Sequence, residues 1–259
     1  MRTLMYHDIA GHDAREAVGF QGQLAARYKL TPSDFDAHLD AVAATGLEVR
    51  PLDAGEPAPA VAITFDDGGA SAPLAAEALE RHGWRGQFFV TSSRVDTPGF
   101  MSSEQVRELA ARGHLIGSHS HSHPTYMGKL TRAELDEEWT RSRALLGELL
   151  GSPPRTASVP GGFLSAEVIA SAGAAGYELL FTSEPTAKPL QEKLSGSLLE
   201  VRGRYTIWAS TPASVAAAYA RGSRLACGRL WLEWNAKKLA KSASPAAYQL
   251  LRRVRASGS

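Results

Sequence analysis

The chain has 259 residues, 44% of them hydrophobic, a formal net charge of +1 and one cysteine, Cys227. That is enough apolar content for one sizeable core; it excludes a disulfide framework and a thiolate zinc site, and leaves Asp, Glu and His to hold any metal. No run approaches the roughly 18 apolar residues of a membrane span, and the N-terminal segment turns polar at Tyr6-His7-Asp8 before an apolar signal core forms, so the cytoplasm is the expected compartment.

Apolar, β-prone segments recur in chain order at 3–6, 61–65, 87–91, 114–118, 156–159, 178–182 and 204–208, and each reads as a strand. Helical signals fill the intervals. Thr31-Pro32 pairs a cap with a first-turn proline, Ser102 with Gln105 and Thr131 with Glu134 form capping boxes, and Gly83, Gly113, Gly151 and Gly222 stand where helices stop. Strands alternating with helices predict a helix-covered parallel sheet, and seven of them suit either a barrel or an open sheet. The segment 55–59 reads as a short surface connection. Residues 221–259 carry nine Lys and Arg against Glu233 alone, a local balance of +8 that leaves the preceding 220 residues at −7. Leu230, Trp231 and Trp234, then Leu250, Leu251 and Val254, are set among these cations, which predicts two basic amphipathic helices broken near Pro245. The division expected is a body at 1–220 and a helical tail at 221–259. The tail either meets an anionic surface, a membrane or a polyanion, or packs back on its own domain.

Two of the strand segments end in groups that bind metals. Ala62-Ile63-Thr64-Phe65 runs into Asp66-Asp67-Gly68, and Gly117-Ser118 runs into His119-Ser120-His121-Ser122-His123-Pro124. The C-terminal ends of strands converge on one face of a βα protein, so carboxylates and imidazoles can meet there. Asp-Asp-Gly taken alone is also a good turn or helix cap. The histidines admit two geometries: on an extended segment His119, His121 and His123 share a face, whereas on a helical turn His119 and His123 pair and His121 points away. His12, His38, His82 and His114 read as structural, and Trp84 and Trp139 as anchors of helices to the core.

These residues resemble the NodB-type polysaccharide deacetylases, carbohydrate esterase family 4. The resemblance rests on Thr64-Phe65-Asp66-Asp67-Gly68, on His119-Ser120 with His123, and on Pro160-Gly161-Gly162, and it spans about residues 3 to 210 in order. It implies a distorted (β/α)7-type barrel with the C-terminal helical extension, and a metal-dependent hydrolase removing an N-acyl group from an amino sugar or glycan. Asp67, His119 and His123 are then the metal ligands, of zinc or of cobalt, nickel or iron. Asp66 is the general base, Gly161 supplies a backbone N–H to the oxyanion, Pro160 and Gly162 border the substrate, and His121 is not a ligand. The arginine that opens the family's third motif and pairs with the base is here Ser158, which predicts a less tightly held base. Gly161 replaces an aromatic wall, which predicts a wider cleft. The family's late histidine acid is missing, since no histidine follows His123. Asp66 returning its proton, or His7 at the end of the first strand, would replace it, and Arg204 is expected at the same mouth as a partner of substrate or of Asp66. The substrate expected is an intracellular N-acetylated sugar, lipid-linked or nucleotide-linked, with peripheral membrane contact through the tail and no nucleic-acid partner. A C–N hydrolase of cyclic amides or ureides and a non-catalytic carbohydrate-binding relative are the alternatives.

Overall fold

The computed structural model describes residues 1–162, 164–194 and 197–243. Among the described residues there are nine strands: β1 (Arg2–Tyr6), β2 (Val61–Phe65), β3 (Gln87–Val90), β4 (Leu115–Ser118), β5 (Thr156–Ser158), β6 (Leu179–Phe181), β7 (Leu190–Leu194), β8 (Ser197–Arg202) and β9 (Tyr205–Thr206). The helices are α1 (Gln23–Ala26), α2 (Pro32–Ala43), α3 (Ala72–Arg81), α4 (Ser103–Ala111), α5 (Arg132–Leu150), α6 (Ala166–Ala174), α7 (Ala213–Ala220) and α8 (Arg224–Ala243). Their starts follow the sequence signals: Thr31 caps α2 ahead of Pro32, and Ser102 and Thr131 close complete capping boxes on α4 and α5.

Side chains alternate between the two sides of a strand, and here the sides differ in chemistry. Leu4, Tyr6, Ile63, Phe65, Phe88 and Val90 belong to one apolar cluster together with residues of α2, α3 and α4, and Ala157, Val159, Leu180, Leu199 and Val201 to a second with residues of α5 and α6. The alternate residues Thr3, Thr64, Gln87, Thr156, Ser158 and Arg204 are buried as well, yet polar. They share the inner side with Phe89, Leu179 and Phe181. Continuing that alternation past the strand ends puts His7, Asp66 and His119 on the inner register.

The strand order β7-β8-β6-β5-β4-β3-β2-β1-β9 is parallel throughout except for the β7–β8 hairpin. Only Gly203 and Arg204 separate β8 from β9, although these strands lie seven positions apart in the order. A flat sheet would part them by about 34 Å, and three residue steps reach at most about 11 Å. The sheet is therefore curled until its two ends meet. β8 pairs with β6 and β9 with β1, so 197–206 is one bent stave that closes the curl, and the seven-stave expectation holds with β7 added outside it. The β7–β8 hairpin was not anticipated, because Gln191-Glu192-Lys193 breaks any apolar run. Alternating Leu199 and Val201, both buried, were the available signal.

The expected tail is described only as far as Ala243. α8 is a 20-residue helix whose Leu230 is buried in the main core beside Ala226 and Cys227, while Leu225, Trp231 and Leu232 are exposed. The break at Pro245 and the second helix lie outside the described residues. No helix among the described residues is long and apolar enough to cross a membrane.

At the bend of the closing stave, a Cβ on Gly203 would fall 2.1 Å from the Glu184 carbonyl oxygen, whereas one on Gly228 in α8 would meet nothing within 4 Å. Gly203→Ala should therefore cost about 1–3 kcal/mol in urea unfolding, and Gly228→Ala should be neutral or stabilising by up to about 1 kcal/mol. Equal responses would contradict the crowded seam.

Candidate functional site

Among the described residues, four non-glycine residues have a left-handed backbone: Asp67, Asp96, Ser120 and His123, with φ between 59° and 74°. Such conformations cost about 1–3 kcal/mol each and persist only where the surroundings enforce them. Three of the four lie together at the C-terminal ends of β2 and β4. Asp67 turns the chain out of β2, and its carbonyl accepts the Thr91 N–H. Ser120 turns it out of β4, with its N–H on Ser118 Oγ and its own Oγ accepting the His123 N–H at 3.1 Å. From α5, the Glu138 carboxylate accepts the N–H groups of His121 and Ser122 and the Ser122 hydroxyl, which pins the loop.

This loop is neither of the two geometries open to the sequence. It is a tight turn that nonetheless pairs His119 with His123 and turns His121 away to Ser92 Oγ, 2.9 Å from its Nδ1. The ligand atoms of Asp67, His119 and His123 all lie within 4.8 Å of one another. Asp67 Oδ1 is 3.4 Å from the Nε2 atoms of both His119 and His123. Two ligands each about 2.0–2.1 Å from a tetrahedral zinc stand about 3.4 Å apart, so the spacing fits such an ion. That match covers the two Asp67–histidine spacings, and the donor set of one carboxylate and two imidazoles fits as well and leaves a coordination position for water or substrate. His119 Nδ1 lies 3.0 Å from the Ser158 carbonyl oxygen, and donating to it leaves Nε2 free to ligate. Burial, and next the neighbouring His119, push the His123 imidazole down to about 4, so it is neutral and able to ligate near neutral pH. For His119, burial is outweighed by Asp66 and Asp67, and its proton affinity is raised.

Asp66 stands beside the cluster, its Oδ2 3.9 Å from His119 Nε2, and its carboxylate is held from the barrel interior. Arg204 Nη1 donates to its Oδ1 and Nη2 to its Oδ2, both at 2.7 Å, in a bidentate pair. The remaining guanidinium hydrogens go to Ser158 Oγ, Thr64 Oγ1 and the Thr182 carbonyl, so all five donors have partners. The Arg204 guanidinium carbon also lies 5.5 Å from the Phe89 ring and 5.9 Å from that of Phe181. Burial alone would raise the Asp66 carboxyl, but Arg204, assisted by His119, holds it well below the usual carboxylate range.

Two expectations are corrected by this arrangement. Arg204 is fully buried, so of its two expected roles the Asp66 partner is the one observed, and no surface remains for substrate. The base is also not loosely held: Ser158 takes up a hydrogen bond to Asp66 at 3.3 Å, and the arginine absent from the third motif arrives from the closing stave. Sequence reading named Asp66 as one of two partners for Arg204 and could not choose between them, because the pair joins residues 138 apart.

His7 stands at the end of β1 with its ring 4.5 Å from Tyr28 and a buried Nδ1 without a hydrogen-bond partner. Burial lowers its proton affinity against the pull of Asp67 and Asp66. In the third motif Pro160 is buried, and a Cβ on Gly162 would fall 1.7 Å from Ser183 Oγ. Both therefore shape the turn, and only Gly161 of the three is exposed at the mouth. Of the four histidines read as structural, His38 bonds Tyr6 and the Thr211 carbonyl, and His114 bonds the Gly86 N–H and Glu80, whereas His12 is exposed.

Residues 53–180 match the family model described as polysaccharide deacetylase. The chain is 33% identical over 116 residues to the peptidoglycan-N-acetylglucosamine deacetylase of Listeria monocytogenes, covering 44% of this chain and 24% of that one. It is 30% identical over 145 residues to the chitooligosaccharide deacetylase of Bradyrhizobium, covering 54% of this chain and 64% of that one. The crystal structure of a polysaccharide deacetylase from Bacillus cereus superposes with a TM-score of 0.66 at 19% identity, over 85% of this chain and 68% of that one, and shares the fold. The chain thus spans less than two thirds of the length of these curated relatives. Asp66, Asp67, His119, His123 and Ser158 lie inside the matched segment, whereas His7 and Arg204 lie outside it.

Arg204→Met should leave Asp66 buried without its partner and destabilise the protein by about 3–5 kcal/mol. The double variant Asp66→Asn/Arg204→Met should recover a large part of that loss in urea unfolding. Additive losses would contradict a coupled pair.

Proposed function

The chain is a divergent member of the polysaccharide deacetylase family, and from that premise we propose that it hydrolyses the C–N bond of an N-acetyl group on an amino sugar within a glycan. The observation that carries this reading is the pairing of a three-ligand cluster, Asp67, His119 and His123, with a separate carboxylate, Asp66, fixed beside it. A pure binder has no use for the second carboxylate. A divalent cation held there, zinc in the first instance and cobalt or nickel equally acceptable to the donors, would supply polarisation of the amide carbonyl and a more acidic water.

The chain's own residues do the rest. Asp66, with both oxygens oriented by Arg204, takes the proton of the attacking water. The exposed Gly161 offers its backbone N–H to the developing oxyanion. Collapse expels an amine that needs a proton, and Asp66 returns the one it took; Arg204 makes protonated Asp66 a ready donor. His7, kept neutral by burial, lines the site beside Tyr28 and donates no proton of its own. Peripheral membrane contact is the finer part of this proposal. It is supported by exposed Leu225, Trp231 and Leu232 on a helix that also carries Arg224 and Arg229, and it suits a lipid-linked glycan.

Acetate release from chitooligosaccharide and zinc content separate the roles. Asp67→Ala should lose zinc and activity together. Asp66→Asn should keep zinc and lose at least about a hundredfold in kcat, whereas His7→Gln should keep kcat within about tenfold, since no general-acid contribution is removed. A His7 loss as large as that of Asp66 would transfer the acid role to His7. For the tail, Trp231→Glu should abolish cosedimentation with vesicles containing phosphatidylserine, and no cosedimentation of the unaltered protein would remove the membrane contact.

A further inference from the structure

The two imidazoles of the cluster are held in place by different means. His119 is oriented by a hydrogen bond to the Ser158 carbonyl. The His123 ring has a hydrogen bond only to its own backbone, and the packing contacts that come to it from elsewhere are rings: Phe20 lies 4.6 Å from it at 42°, and the His119 ring 5.0 Å from it. Phe20 is itself braced, edge-on to Phe100 at 5.1 Å and with the Arg94 guanidinium carbon 5.6 Å from its ring centroid. It belongs to the long connection between β1 and α2, whose residues 11–17 are mostly exposed and contribute nothing to the core.

What fixes that connection is a buried lysine. Lys29 is 1% exposed, and its ammonium donates to the carbonyls of Arg15, Val18 and Phe20, each at 2.6 Å. Its three hydrogens are thereby all used on backbone of this one segment. A buried ammonium is unfavourable unless fully bonded, so its placement on one loop is a strong constraint on that loop. The neighbouring Gly19 adds a second tie, its N–H on the Gly99 carbonyl at 2.6 Å, and a Cβ there would fall 2.0 Å from Asp8 Oδ2.

We propose that Phe20 and Lys29 are positioning residues for the metal ligand His123. Lys29 fixes the carbonyl of Phe20, Phe20 fixes the face of the His123 ring, and that ring orientation aims Nε2 at Asp67 Oδ1. The proposal rests on the metal-centre reading above. It assigns to the β1–α2 connection, outside the segment matched by the family model, part of the support that a second hydrogen bond gives to most metal-binding histidines.

Zinc affinity measured by competition with a chromogenic chelator tests it, with the melting temperature of the chelator-stripped protein read alongside. Phe20→Ala should weaken zinc binding about tenfold or more, the range seen when support of a ligand is removed. Phe20→Tyr, which keeps the ring, should restore wild-type affinity, and Lys29→Met should weaken binding in the same direction as Phe20→Ala. The zinc-induced rise in melting temperature should shrink accordingly in Phe20→Ala, because that rise reports affinity for the folded state. Phe20→Ala binding zinc as tightly as the wild type, with only the metal-free melting temperature lowered, would overturn the proposal and leave the metal centre standing. Absence of zinc binding by the wild type would overturn both.

Discussion

The buried pair of Arg204 with Asp66 is the constraint on which the rest of this structure turns. It joins the closing stave of the barrel to the strand that leads into Asp67 of the three-residue cluster, across a polar interior between Phe89 and Phe181. Removing two charges from water costs several kcal/mol per ion, and attraction offsets this only when geometry is good and every donor is used. Here all five guanidinium donors are used, and Ser158 bonds both partners. Such a pair is weak as a source of stability and strong as a source of geometry. It sets the orientation of Asp66, and it sets where the curled sheet shuts.

The same interior explains how a chain without the third-motif arginine keeps a held carboxylate. Ser158 carries no charge to pair with Asp66, although its hydroxyl reaches that carboxylate at 3.3 Å, and the same hydroxyl accepts a hydrogen bond from the Arg204 guanidinium that supplies the charge. The charge is supplied from a different point of the chain to the same point in space. An analogous substitution bears on the cleft wall. Gly161 presents no aromatic ring, while Phe20, Phe100 and Tyr28 gather around His123 and His7 from other connections.

What was legible in the sequence was local. Thr31, Ser102 and Thr131 carry their caps within three residues, so the helix starts could be read directly. Asp66-Asp67 and His119 with His123 stand at strand ends, and strand direction alone brings them together. The turn that joins the histidines was not legible, because it depends on the left-handed Ser120 and on Glu138 from a distant helix. Neither was the pinning of Phe20 by Lys29, since a lysine between Tyr28 and Leu30 reads as an ordinary surface cation until the fold buries it. The β7–β8 hairpin was hidden by its charges, although the alternation of Leu199 and Val201 was present.

Strain and rigidity are concentrated where the account places the chemistry. Asp67, Ser120 and His123 hold costly backbone conformations within one small region, fixed by hydrogen bonds to the stretch after β3 and within the loop and by packing of Phe20 on His123. The central claim is that this region holds a metal and uses it to cleave an N-acetyl group. The most direct test is the metal content of the purified protein, with acetate release from a panel of N-acetylated oligosaccharides followed before chelation, after it, and after zinc is restored. The account predicts near-stoichiometric metal and acetate release that disappears with the chelator and returns with zinc. Full acetate release from metal-free protein, or stoichiometric metal with no acetate from any N-acetylated glycan, would contradict it.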